Sequence, residues 1–383
     1  MRVGVEQVSR LFRESAADVP APRLAEAAWA QALRVRRRRQ NMLAGTVLGA
    51  TVVTASAVVV AVRGASDHTP VAPQTSAPST VVGIPPAPVD RMPATPPVRM
   101  GTALPRNPGN LAAAPVLGSG AIQRADALYE PSGGPQTVYV LSGGAFHRLS
   151  VALQFLSDPA KRIVSPLRPS SLSADGRLAA FPQRDDVLVV DLTTARATQV
   201  KIPGFNEQVL WLTSGSLLVG QQGAAYLVNV DRASATRLPG SLSVADVVAG
   251  ASNDRTVLEL ADTPGLPLRE WTLGTGTPRV DSKVDFRGLG GYRVSRWSGP
   301  AWRSGDLVVR AGQRNASNAE VVVVLDALSG RVVRVLAAAA TPLGWLDQHT
   351  VVLQASNGIL AWDVDTGGLT SMAAPFDGTL ALP

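Results

Sequence analysis

From Gly118 to Pro383 the chain repeats one short pattern, and a repeated unit limits the folds open to a chain more tightly than its length or composition does. Val209-Leu210-Trp211-Leu212-Thr213-Ser214-Gly215-Ser216-Leu217-Leu218-Val219 stands in register with Leu343-Gly344-Trp345-Leu346-Asp347-Gln348-His349-Thr350-Val351-Val352-Leu353. Each reads as a strand ending in Trp-Leu, a polar turn and a second apolar strand. Ala301-Trp302-Arg303-Ser304-Gly305-Asp306-Leu307-Val308-Val309 repeats this with one residue fewer, and Leu172-Ser173-Ala174-Asp175-Gly176-Arg177-Leu178-Ala179-Ala180 follows suit. A third strand then ends in Asp-x-x-Ser/Thr-Ala/Gly, at Asp191, Asp231, Asp326 and Asp363, with Thr272-Leu273-Gly274-Thr275-Gly276 as a Thr variant. Short acceptor side chains followed by small residues suit a tight hairpin. Taking Thr137, Leu178, Leu217, Val257, Leu307 and Val351 as equivalent second-strand positions gives spacings of 41, 39, 40, 50 and 44, hence six units.

Units of about 43 residues with four strands each have the size of a β-propeller blade, an all-β architecture that hides its sheet edges by radial repetition. Six blades are expected over residues 118–383; seven blades, or a sandwich of stacked hairpins, stay open. Ser173-Ala174-Asp175-Gly176-Arg177-Leu178-Ala179-Ala180-Phe181 resembles the Tol-associated blade pattern Ser-Pro-Asp-Gly-x-x-Leu-Ala-Phe, with Ala174 in place of Pro. Trp362-Asp363 is the one Trp-Asp dipeptide, so the likeness extends to bacterial WD-repeat propellers, although the Gly-His element of true WD repeats is absent. Ring closure predicts that Thr379-Leu380-Ala381-Leu382 pairs into the first blade beside Thr137–Leu141.

Upstream, Met42–Val62 is a run of 21 residues without a charge, flanked by Arg34, Arg36, Arg37, Arg38 and Arg39 on one side and Arg63 on the other. As a helix it is about 30 Å long, the thickness of the hydrocarbon core. The arginines place the N-terminus in the cytoplasm and suit contact with anionic lipid. A cleaved signal peptide ending at Ala55-Ser56-Ala57 is the competing reading, but the apolar run continues beyond it. Residues 1–41 carry +5 of the net charge of +7 and read as a short helical cytoplasmic tail, so the basic pI belongs to the tail and no nucleic-acid partner is expected. Twelve prolines between Arg63 and Pro115 mark residues 63–117 as a disordered, partly polyproline stalk. With only three lysines and abundant Arg, Ala, Val, Gly and Pro, the composition resembles that of actinobacterial membrane proteins.

The chain has no cysteine, which excludes disulfides, thiolate metal sites and thiol nucleophiles. His68, His147 and His349 fall in separate regions, and no phosphate loop or nucleophile elbow is present, so neither a catalytic site nor a metal or other cofactor is expected. Asp363-x-Asp365-x-Gly367 resembles the start of a calcium loop without its distal Glu and reads as a hairpin turn; Asp185-Asp186 reads as a solvated corner. Trp211, Trp302 and Trp345 recur at one blade position and read as core, leaving Trp271, Trp297 and Trp362 as exposed aromatics for ligand contact.

The sequence therefore points to an extracytoplasmic propeller on a single-pass anchor, a binding or scaffold module at the cell envelope for a protein, peptide or glycan. Its tail resembles those of actinobacterial membrane proteins found near extracytoplasmic sigma factors, which makes transmembrane signalling the alternative. A propeller hydrolase or lyase is the third reading.

Overall fold

The computed structural model describes residues 86–93, 98–132, 137–154, 156–157, 163–250, 255–314 and 319–383. The chain divides into two compact units, Met1–Thr80 and Val81–Pro383. The expected tail with Arg34, Arg36, Arg37, Arg38 and Arg39, and the expected span 42–62, lie outside the described residues. Among the described residues no helix is long and apolar enough to cross a membrane.

Six sheets of three or more strands occur among the described residues. The first comprises Ala127–Pro131, Tyr139–Ser142 and Ala145–Arg148 with Gly378–Ala381; the second Leu178–Pro182, Arg184–Asp191 and Arg196–Phe205. The third runs from Gln208–Thr213 through Ser216–Gln221 and Ala224–Asn229 to Ser234–Arg237, and the fourth holds Thr256–Leu260, Pro267–Thr272 and Pro278–Lys283. Val294–Ser304, Leu307–Arg314, Glu320–Asp326 and Val332–Ala337 build the fifth; Ala340–Trp345, Thr350–Ala355, Gly358–Asp363 and Leu369–Ala373 build the sixth. Within each sheet these consecutive strands pair antiparallel.

Apolar clusters join the first sheet to the second, the second to the third, the fourth to the fifth, and the sixth back to the first. Another spans the third, fourth, fifth and sixth. The sheets thus form a ring, a β-propeller. A middle strand has a neighbouring sheet on each face, so it reads as a continuous apolar run rather than an alternation: Val321 to Leu325 are all fully buried. Each such side chain contributes about 1.5–3 kcal/mol through removal from water.

The ring is closed by Gly378–Ala381, which pairs antiparallel with Ala127–Pro131 at Leu128↔Ala381 and Tyr129↔Leu380. The expected clasp therefore exists, but its partner is one strand away from Thr137–Leu141. Because the C-terminal strand supplies the innermost position, Ala127–Pro131 is the second strand of this sheet and Tyr139–Ser142 the third. Thr137 is accordingly not equivalent to Leu178 or Leu217, which are in second strands. Gly378 has φ 146°, and a Cβ there would run into the Glu130 carbonyl oxygen, so the clasp strand has to start with glycine.

The boundary expected at Gly118 is also corrected. Residues 86–93 and 98–117 form a strap along the outer edges of the fifth, sixth and first sheets. Val89–Arg91 pairs parallel with Val335 to Ala337, while Arg99 and Val116 make single parallel bridges to Ser371 and Arg148. Proline suits this role because an edge strand's unpaired N–H groups need acceptors, and proline keeps its carbonyl while lacking a donor. Val335 N donates to Pro88 O at 3.0 Å and Arg148 N to Pro115 O at 2.7 Å. Asp90 fixes the strap by accepting from Arg334 at 3.2 Å and from Trp362 Nε1 at 3.0 Å. Leu104, 6% exposed, sits in the cluster between the sixth and first sheets.

Candidate functional site

The innermost segments all run toward one mouth of the ring. There the ends of Gln208–Thr213, Val294–Ser304 and Ala340–Trp345 meet Leu172 to Asp175, Ala249-Gly250 and Pro383 around a cavity of about 450 Å³. A second cavity of about 410 Å³ shares Ala174, Asp175, Trp345 and Pro383 with it, and extends between the sixth and first sheets to Met100–Leu104 of the strap. The two make one cleft from the ring's axis toward its rim, with Trp345 in the partition.

Trp211, Trp302 and Trp345 line this cleft because three inner strands carry a Trp at the mouth end, followed by Leu212, Arg303 and Leu346 respectively. Two of the three are tied into the ring. Trp211 Nε1 donates to Ser171 O at 2.9 Å in the second sheet's inner segment, and Trp302 Nε1 donates to Pro342 O at 2.9 Å in the sixth sheet. Trp345 Nε1 is buried and has no hydrogen-bond partner, an arrangement that costs about 1–3 kcal/mol while it lasts. Trp345 itself is half-buried, and Leu346 beside it is 47% exposed.

The polar side chains of the cleft are mostly engaged by the protein's own turns. Asp175 Oδ1 accepts from Ser173 Oγ at 2.7 Å and from Arg177 N at 3.0 Å, while Gly176, with φ 70°, brings its turn against Ala125 of the first sheet. These contacts explain the Ser-Ala-Asp-Gly motif as turn chemistry. Asp126 Oδ2 accepts from Gly143 N at 2.8 Å, Thr213 Oγ1 shares a hydrogen bond with Ser216 Oγ at 2.8 Å, and Arg303 Nε donates to Gly305 O at 2.7 Å. The cleft presents mainly carbon surface, with Arg124, Ser214 and Arg303 also in its lining.

The expected exposed aromatics are corrected. Trp271, Trp297 and Trp362 are 5%, 3% and 0% exposed. Trp271 Nε1 donates to Glu259 Oε2 at 2.8 Å, Trp297 packs beside Phe286 with ring centroids 6.3 Å apart, and Trp362 is sealed by Asp90 of the strap. Burial lifts the Glu259 carboxyl above the usual carboxylate range, against the opposing pull of the Trp271 N–H.

The Asp turns form as their spacing indicates, with one exchange of roles. Asp191 Oδ1 accepts from Thr193 N at 2.9 Å, Asp326 Oδ1 from Ser329 N at 2.7 Å and Asp363 Oδ1 from Thr366 N at 2.8 Å. In the third sheet Asn229, not Asp231, is the acceptor, from Arg232 N at 2.8 Å. The calcium-like Asp363 is thus turned onto its own backbone, also accepting from Asp365 N at 2.9 Å. Asp186 pairs with Lys201 at 3.1 Å, and Asp185 Oδ1 accepts from Gly204 N at 2.8 Å. His349 Nδ1 lies 3.1 Å from Asp365 Oδ2, and among the described residues no group of three His, Asp or Glu side chains could hold a metal.

No protein-family model matches the chain, and no curated protein matches it. Among solved structures it is similar to Kuenenia stuttgartiensis hydrazine synthase, at 12% identity and a TM-score of 0.41 over 64% of this chain and 78% of that one. It is similar to a chain of the mitotic checkpoint complex at 13% identity and a TM-score of 0.39, covering 57% and 71%. It is also similar to BamB from Moraxella catarrhalis at 15% identity and a TM-score of 0.38, covering 72% and 76%. The propeller class stands on the ring of sheets itself.

Proposed function

We propose that this chain is a membrane-anchored, extracytoplasmic propeller of six blades that works as a binding or scaffold module at the cell envelope, with the Trp-lined cleft as its binding face. The observation that carries the reading is the convergence of three Trp-bearing inner strands on one cleft in which Trp345 leaves its N–H unpartnered. Concave, largely apolar sites with a few oriented polar groups are where ligands bind. The uncharged run 42–62 behind its arginines supports the anchor. The engaged turns leave no convergent acid, base or nucleophile for catalysis in the described cleft.

Two measurements test this reading. External protease on intact cells should remove the propeller and spare an epitope tag placed ahead of Arg34; loss of the tag instead would reverse the orientation. Purified full-length chain in detergent should show a tryptophan fluorescence change on titration with envelope extract, reduced several-fold by Trp345→Ala. A response insensitive to Trp345 would move the binding face elsewhere.

A further inference from the structure

The end of the ring opposite the tryptophan mouth has a different chemistry. Residues 118–383 hold 23 acidic and 23 basic side chains, yet between Arg287 and Arg314 six arginines stand against the single Asp306. Arg287 is paired with Asp285 at 2.7 Å, Arg310 is buried against Asp246 at 2.9 Å, and Arg303 belongs to the tryptophan mouth. Arg293, Arg296 and Arg314 are left at the far end, because Val294–Ser304 starts there and Val294 pairs with Arg314. The strap adds Arg91. None of these four has a carboxylate partner among the described residues. The neighbouring acids are engaged elsewhere: Asp90 by Arg334 and Trp362, and Asp262 by Trp297 N at 2.7 Å, while Glu320 stands one strand further out, opposite Gln313.

Three elements build the centre of this patch. A Cβ on Gly288 would lie 2.9 Å from Pro86 Cβ, so the connection between the fourth and fifth sheets rests directly on the strap. Beside this contact Arg91 Nη2 donates to Tyr292 Oη at 3.4 Å. Arg314 lies over the Tyr292 ring, 4.5 Å from its centroid, and is oriented by its Nε, which donates to Gly291 O at 2.8 Å. The Nη groups of Arg314 and the hydrogen of the Tyr292 hydroxyl have no acceptor among the described residues. The hydrogen bond from Arg91, with the charges of Arg91 and Arg314, pulls that hydroxyl below the usual tyrosine range and makes it a better donor.

Converging donors without an acceptor fit an oxyanion. A carboxylate offers two oxygens and one charge, whereas a phosphate monoester offers three oxygens and close to two charges, and guanidinium forks match it bidentately. We infer that Arg91, Tyr292 and Arg314 form a binding site for a phosphate monoester, independent of the function proposed for the tryptophan cleft. Arg293 and Arg296 add to the positive field that draws the anion in. Because Arg91 belongs to the strap and Arg314 to the fifth sheet, the bound anion also ties the two together.

The experiment has a soluble arm and a lipid arm. Full-length chain in neutral detergent is titrated calorimetrically with glycerol 1-phosphate. The same chain in phosphatidylcholine nanodiscs is floated with phosphatidylcholine vesicles containing about one-third phosphatidic acid, or the diester phosphatidylglycerol as control. Arg34 and Arg36–Arg39 are unaltered throughout, so their share of vesicle binding is common to every variant. Arg91→Gln/Arg314→Gln should weaken phosphate binding at least roughly tenfold, and Arg91→Lys/Arg314→Lys, which keeps the charge but loses the forks, several-fold. Tyr292→Phe keeps the ring under Arg314 and should also weaken binding several-fold, with melting curves confirming that all three variants fold. Arginine-dependent binding in the soluble arm alone assigns a free phosphate ester, and in the lipid arm a headgroup phosphate; either supports the site. No binding in either arm, binding that survives in the glutamine pair, or full affinity in the lysine pair overturns it. Equal affinity for glucuronate, or equal flotation with phosphatidylglycerol, overturns the monoester class. Trp345-dependent binding in the cleft is read separately and stands or falls without this result.

Discussion

The first sheet is completed at both of its edges by segments outside its own three consecutive strands, one of them remote in sequence, and the two additions differ in kind. At the inner edge Gly378–Ala381 forms a four-residue antiparallel register and brings its own core: Leu380 and Ala381 are buried, and Phe376 lies edge-on to Tyr129 with centroids 5.1 Å apart. At the outer edge the strap contributes one parallel bridge, at Val116, with Leu117 buried beside it. The inner addition closes the ring; the outer one covers an edge. A strand's place in the ring, rather than its length, decides how much depends on it.

Truncation after Pro375 should break this comparison most severely. It removes Phe376, Leu380 and Ala381 and opens the seam between the sixth and first sheets, so calorimetry should show a melting temperature lower by more than about 10 °C or the loss of one cooperative transition. An unchanged melting temperature would show that the strap, not the clasp, holds the seam. Leu104→Ala should cost about 2–3 kcal/mol in chemical denaturation, since that strap residue is in the same buried cluster. Asp90→Ala should cost about 2 kcal/mol by stranding Arg334 and the indole N–H of Trp362, and should raise proteolysis of residues 86–104; Asp90→Asn should recover part of the loss.

The smallest effect concerns acid. The Thr366 and Asp365 backbone N–H groups hold the Asp363 carboxyl below the usual carboxylate range, and the His349 and Thr350 N–H groups do the same for Asp347. A depressed folded-state pKa contributes stability above the unfolded-state value, near about 3.9, and loses it as pH falls through the folded-state value. Asp363→Ala should flatten the fall in melting temperature below about pH 4, at a cost at pH 7 under about 1 kcal/mol because the turn is solvent-screened.

What the sequence reveals follows the range of the interactions. Trp-Leu strand endings and Asp turns are local, so five of the units align in register on their residues alone. The first unit misleads because its inner strand comes from Gly378–Ala381, and nothing near Thr137 signals that. The strap is hidden for another reason: it docks through carbonyls at Pro88, Val98 and Pro115, which leave no apolar periodicity to read. The tryptophans are misassigned because exposure depends on partners across blades. Trp362 is sealed by an aspartate of the supposed stalk, while Trp345, at a position shared with two ring-stitching indoles, finds no acceptor.

The closing pair also sets an order of events in folding. Leu128 and Ala381 are about 250 residues apart, and bringing such ends together costs about 5 kcal/mol of chain entropy before any contact repays it. Local hairpins form in microseconds, but the seam must wait until a strand made long after its partner is available. Until then Ala127–Pro131 has a bare inner edge, open to pairing with another chain while the domain is being synthesised.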